Sequence, residues 1–367
     1  MFFSTPNAQS KNTIYPRQIA FCAAFLLPMG KLLEVPSLLA GYAKGDILLP
    51  AILQFLTQTL LLLGILYAAS QSEKSLWERI QERLGKGIVV FYIFFALYYL
   101  FAAILPLLDF EKFVYAAFFD TAPTTFSFGF FFILLALVCS KGLKAFGRCA
   151  DLCLFLFLLP FLALLVMAFF ETDLTRLLPF FGTHYQGVFQ AFTKATPHFS
   201  DALLLFPLLA SLRYKKGDGV KITLGYAAGA LLTLLFLAVF FGIFSSIAPR
   251  EHYAFSKIAQ YFSALDIVGR IDLIFVYLLS VVLLFYTCLP LLYTTELSAC
   301  VFRLERKGFP ASILSLALFL FTLFLNKYYD SFYSLIGGKL VSIFWFISYL
   351  LPLFCLFLPK KGGAYAH

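Results

Sequence analysis

Apolar runs of about 20 residues, parted by short polar stretches, recur along all 367 residues of the chain. A helix needs about that length to cross the ~30 Å hydrocarbon layer of a bilayer. A barrel would show ~10-residue strands of alternating polarity, and these Leu- and Phe-rich runs do not alternate. The pattern predicts an all-α integral membrane protein of ten transmembrane helices. They lie near 18–43, 46–70, 87–108, 125–139, 149–170, 187–212, 219–248, 270–300, 310–326 and 334–358.

Two of these spans are interrupted. The first, Ile19 to Ala43, is cut by Leu27-Pro28-Met29-Gly30-Lys31, and the sixth, Gly187 to Leu212, by Lys194-Ala195-Thr196-Pro197-His198. The cuts fall at equivalent places if the chain is two halves of five spans, about 18–170 and about 187–358. In lipid an unpaired backbone group costs several kcal/mol, so irregular backbone survives only against protein or a water-filled cavity. Matching interruptions in two repeats mark a transporter's substrate site. The expected architecture is a single transmembrane domain over 1–367, a five-plus-five inverted repeat of LeuT type with broken helices 1 and 6. Its small-solute site is expected at residues 27–34 and 194–201.

Composition agrees with this: 62% of residues are hydrophobic and 13% charged, against about 25% charged in soluble domains. The net charge of +9 is mostly topology. Lys and Arg gather at alternate span ends, as in Lys74 to Lys86, Lys141 to Arg148 and Arg213 to Lys221. Positive charge collects in the cytoplasm, so both termini are expected there, in a multi-pass cell-membrane protein. No basic patch belongs to a folded nucleic-acid module, which argues against nucleic acid as a partner. The polar first sixteen residues and the long apolar run after them do not read as a signal peptide. The seven cysteines lie within or at the ends of spans, as small buried hydrophobes do.

Between spans two and three, Leu76, Trp77, Ile80 and Leu84 recur at helical spacing, predicting an amphipathic helix on the inner membrane surface. On the outer side, Ile247 to Val268 is expected to hold a short helix that dips back onto the protein. It serves either as a lid or as a cover for span ends.

The candidate chemistry centres on the interruptions. Gly30 and Pro28 let the first span leave helical geometry, and freed N–H groups at a half-helix end suit a ligand carboxylate. The alternative is a plain proline kink. Lys31 and Glu34 stand one turn apart and can pair. A charge at this depth faces a cavity or a partner, so Lys31 is either a fixed positive charge for the site or half of a structural ion pair. After Pro197 come His198, Phe199, Ser200 and Asp201. Ser200 or Asp201 can cap the second half-helix, or Asp201 can meet a ligand ammonium or a proton. His198 permits a proton role. Tyr98 and Tyr99 in span three can stack on a solute, and Ser280, Tyr286 and Thr287 in span eight present hydroxyls towards the first break. Gly225 and Gly229 form a small-xxx-small pair, for packing within the chain or for docking a partner. No catalytic, phosphate-binding or metal-binding motif occurs, so neither an enzyme nor a cofactor is expected.

Several stretches resemble the spore germination permease family, the membrane B subunits of germinant receptors within the amino acid–polyamine–organocation superfamily. They are Tyr15-Pro16-Arg17-Gln18-Ile19 leading to Gly30, Pro36 and Ala43-Lys44-Gly45-Asp46; Ser140-Lys141-Gly142-Leu143 with Arg148; Leu177-Leu178-Pro179 followed by Phe199 to Pro207; and Arg270-Ile271-Asp272. Gly269 departs from the family, which usually carries a carboxylate there. The resemblance implies the inverted-repeat fold, amino-acid-like germinants, and assembly with a larger A subunit and a lipoprotein C subunit in the spore inner membrane. A proton- or sodium-coupled amino acid transporter is the alternative, and a membrane scaffold that has lost its site is a third reading.

Overall fold

The structure, a computed structural model, describes residues 14–72, 74–118, 124–178, 182, 185–261, 272–302, 304, 308–326, 328–336 and 339–357. Arg270 and Ile271, Gly269, Pro179 and the end of the outer loop from Phe262 lie outside the described residues. Among the described residues every regular element is helical. Five helices are long and apolar enough to cross a membrane: Leu48–Ser70, Leu76–Val114, Asp218–Arg250, Tyr277–Phe302 and Gly308–Leu325. The bent pair Gly129–Lys141 and Leu143–Cys149 makes a sixth if it counts as one span, and Phe157–Phe170 and Ile343–Phe354 are shorter apolar helices. The chain is thus a helical, multi-pass membrane protein.

The first helix, α1 (Pro16–Phe21), runs on through a π turn at Cys22–Leu26 and a last turn at Leu27–Met29. The break therefore falls at 30–34, three residues later than Pro28 suggested. Pro28 has no N–H to give, and the wide turn, closed by the Leu27 N–H on the Cys22 carbonyl, absorbs that defect inside the helix. The chain resumes as α2 (Val35–Ala43) and α3 (Leu48–Ser70).

Next comes α4 (Leu76–Leu84), started by a capping box in which Ser75 Oγ accepts from the Glu78 N–H and Glu78 accepts from the Ser75 N–H. Its apolar stripe meets protein rather than lipid. Leu76, Trp77 and Ile80 are buried, and Trp77 packs edge-on against Phe91, Tyr92 and Phe206. The expected amphipathic helix is present, and its Trp77 finds aromatic partners within the protein.

The remaining helices are α5 (Ile88–Phe118), α6 (Thr124–Lys141), α7 (Leu143–Phe170), α8 (Tyr185–Ala195), α9 (Asp201–Ala210), α10 (Asp218–Phe244), α11 (Ala254–Tyr261), α12 (Asp272–Phe302), α13 (Gly308–Asn326), α14 (Tyr329–Ile336) and α15 (Lys339–Phe357). The sixth-span interruption is where the sequence puts it: a single 3-10 turn, Thr196–His198, parts α8 from α9. α5 lies along α12, α6 along α13, α10 against α1 and α3, and α8 against α2 and α3. At Gly225 and Gly229 on α10, an added Cβ would come within 2.5 Å of the Ala20 carbonyl and 2.7 Å of the Ala23 carbonyl. The glycine pair serves packing within the chain. It lets α10 touch the backbone of α1 at and beside the π turn.

Candidate functional site

Lys31, in the first break, is fully buried, and its Nζ sits 2.6 Å from Oδ1 of Asp201 at the head of α9. The same ammonium donates to the Leu27 carbonyl at 3.1 Å and lies 5.1 Å from the Phe199 ring centre and 5.9 Å from that of Phe55. Asp201 takes a second hydrogen bond from the Tyr226 hydroxyl at 2.9 Å. A buried charge is tolerated only when paired and hydrogen-bonded, and here each charge has such partners. One ion pair thereby ties the two interrupted spans together. Glu34, one turn on, faces outward and pairs with His252 at 3.0 Å, so the local Lys31–Glu34 pair does not form.

Several backbone groups around each break have partners within the protein. At the first, the Lys31 and Leu32 N–H groups close tight turns onto the carbonyls of Pro28 and Met29 at 2.9 and 3.2 Å. The Leu32 and Leu33 carbonyls accept from the Phe255 and Ala254 N–H groups of α11, both at 3.1 Å. At the sixth, Ser200 makes no side-chain cap. The Ala202 N–H donates instead to Gln58 Oε1 at 3.1 Å, Gln54 donates to the Phe192 carbonyl at 2.6 Å and to Thr196 Oγ1 at 2.9 Å, and the Tyr349 hydroxyl donates to the Phe199 carbonyl at 3.0 Å. The Lys31, Leu32 and Ala202 N–H groups are thus engaged within the protein.

Between the breaks lies a small cavity of about 20 Å³. Gly30, Pro197, His198, Ser200 and Tyr286 line it, joined by Asp109 and Pro106 of α5 and Trp345 of α15. Gly30 is obligatory here, since an added Cβ would stand 2.4 Å from the Tyr286 ring. Pro106 has no N–H to offer the Ala102 carbonyl, and both residues line the cavity.

The family model for spore germination proteins, the spore permease family, matches residues 22–331. The chain belongs to the spore germination protein family. A search of the curated proteins finds no match.

In this spore germination protein the predicted site residues divide into three groups. Gly30, Pro197, His198, Ser200 and Tyr286 come together around the cavity, and Lys31, Phe199 and Asp201 form the ion-pair cluster beside it. Leu27, Pro28 and Met29 are buried: Leu27 supplies a carbonyl to Lys31, and the Pro28 ring packs so close to Gly229 that a Cβ added there would stand 2.9 Å from it. Among the rest, Tyr98 stands beside the cavity, against Ser200 and Trp345 of its lining, and the others face elsewhere. Glu34 meets the outer loop. Tyr98 packs edge-on against Trp345 at 4.9 Å, Tyr99 donates to the Leu203 carbonyl at 2.8 Å, Thr287 back-bonds to the Leu283 carbonyl of its own helix at 3.0 Å, and Ser280 is half-buried. Sequence reasoning missed Gln54, Gln58, Asp109, Tyr226, Trp345 and Tyr349. The two glutamines, an i,i+4 polar pair inside an apolar span, carried a visible signal; the aromatics did not.

Proposed function

We propose that this protein is the permease-like, germinant-binding subunit of a spore germinant receptor. On this reading ten spans form a five-plus-five inverted repeat, and an amino-acid-like solute binds between broken spans one and six. The reading rests above all on the cavity between the two breaks, lined by Gly30 and Leu33 from the first, by Pro197, His198 and Ser200 from the second, and by the polar side chains of Asp109 and Tyr286. Further support is a packing contact that repeats across the halves: α3 meets α8 as α10 meets α1. At about 20 Å³ the cavity holds about one water, so a solute enters only when the bundle opens. A germinant that binds the open arrangement more tightly shifts the population towards it, and the change passes to the larger A subunit and the lipoprotein C subunit. The Lys31–Asp201 pair keeps the broken spans in register through that change. Both termini then face the cytoplasm, and the membrane is the spore inner membrane.

The test uses the purified full chain in lipid nanodiscs with radiolabelled L-amino acids. Saturable binding of at least one is expected, weakened at least tenfold by Ser200→Trp at an unchanged unfolding midpoint. Proteoliposomes of the same chain are expected to show no uptake; concentrative uptake would make the protein a transporter instead. If none of the twenty binds saturably, the germinant reading fails.

A further inference from the structure

A second and much larger hollow, about 790 Å³, runs along the outer face of α6 and α13, within the ~300–1,000 Å³ of small-molecule sites. Small residues on both helices form it: Gly129, Ala136 and Ser140 on one, Gly308, Ser312 and Ser315 on the other. Its walls are almost wholly apolar, and even its hydroxyls are spent. Ser140 donates to the Leu137 carbonyl, Ser312 to that of Gly308 and Ser315 to that of Phe132, at 2.7, 3.0 and 2.6 Å. A polar ligand finds no donor there, whereas hydrocarbon fits.

Its length and its charge narrow the occupant. The lining runs from Gly129 to Ser140 on α6 and from Gly308 to Phe319 on α13. At 1.5 Å per residue each wall is about 16 Å long, close to half of a ~30 Å hydrocarbon layer. The groove is one leaflet deep. The end at Ser140 is followed by exposed Lys141 and then by Lys144 and Arg148, and the next acidic residue along that stretch, Asp151, lies 3.9 Å from Arg17. Basic pockets between membrane helices recognise anionic headgroups.

We infer that this groove seats an acyl chain of an anionic phospholipid, with the phosphate of its headgroup held at the Lys141 end. The site is separate from the cavity between the broken spans and does not depend on the germinant reading.

The experiment counts lipids retained by the purified full chain in native mass spectrometry, offering phosphatidylglycerol and phosphatidylcholine with identical acyl chains. One phosphatidylglycerol per chain is expected, held about tenfold more tightly than phosphatidylcholine. Lys141→Glu, on the surface and remote from packing, is expected to weaken phosphatidylglycerol at least fivefold and leave phosphatidylcholine unchanged. Ala136→Trp, which fills the groove, is expected to abolish retention of both. Equal retention of the two lipids, or a Lys141→Glu protein that holds phosphatidylglycerol as before, overturns the proposal. So does chain-to-chain crosslinking through Ala136→Cys, which would put a second copy in the groove.

Discussion

At the first break the stranded carbonyls of Leu32 and Leu33 are taken by main-chain N–H groups of α11, whereas at the sixth break side chains from α3 and α15 do the equivalent work. The same contrast holds for the prolines. Pro28 is absorbed by a π turn in its own backbone, while the carbonyl that Pro207 cannot serve accepts from a tyrosine hydroxyl. The first break is thus closed largely by main-chain hydrogen bonds, with Lys31 adding one to the Leu27 carbonyl, and the other break largely by side-chain chemistry. A break of the first kind leaves little trace in residue identity; a break of the second kind places polar residues in otherwise apolar helices.

The largest effect is expected where the two breaks meet. Asp201→Ala leaves the Lys31 ammonium buried and uncompensated, a change that costs about 3–5 kcal/mol. The midpoint of denaturant unfolding of the purified chain should fall accordingly, and Lys31→Met added to Asp201→Ala should recover more than half of the loss. A single-variant loss below about 1 kcal/mol would mean that the spans are joined mainly by something other than this pair.

The contrast itself is sharpened by one lesion in each break. Gln58→Leu removes the acceptor for the Ala202 N–H and the donor to Tyr349; Ala254→Pro removes the N–H that serves the Leu33 carbonyl. Each leaves a buried polar group unpaired, at about 1–3 kcal/mol. Amide exchange should then rise at Ala202 and not at Phe255 in the first variant, and at Phe255 and not at Ala202 in the second. If either lesion loosens both amides, the breaks open as one cooperative unit.

The helical membrane character and both interruptions were legible in the sequence, because a dry bilayer makes apolar run length and misplaced Pro and Gly unusually informative. The partner of Lys31 was not. Glu34 is its neighbour along the helix, while Asp201 is 170 positions away, and local spacing carries no information about such a contact. The unwound stretch was placed three residues early since a π turn has no sequence signature that separates it from a kink. An amphipathic stripe looks the same whether bilayer or protein covers it, so the spacing of Leu76, Trp77, Ile80 and Leu84 does not reveal that Trp77 packs on Phe91, Tyr92 and Phe206.

The smallest expected effect tests whether side-chain support extends down the sixth span beyond the break. Pro207 cannot donate to the Leu203 carbonyl, and the Tyr99 hydroxyl does so at 2.8 Å; Tyr293 serves the next carbonyl, of Leu204, also at 2.8 Å. The two rings touch, 5.0 Å between centres, so the hydroxyls form one clamp from α5 and α12 on the first half of α9. Tyr99→Phe keeps the ring and loses one net hydrogen bond, about 1 kcal/mol. Neighbouring groups of this kind couple, so Tyr99→Phe with Tyr293→Phe should cost measurably more than the two single losses added, read from unfolding midpoints. Strict additivity would mean that each tyrosine acts on its own carbonyl alone.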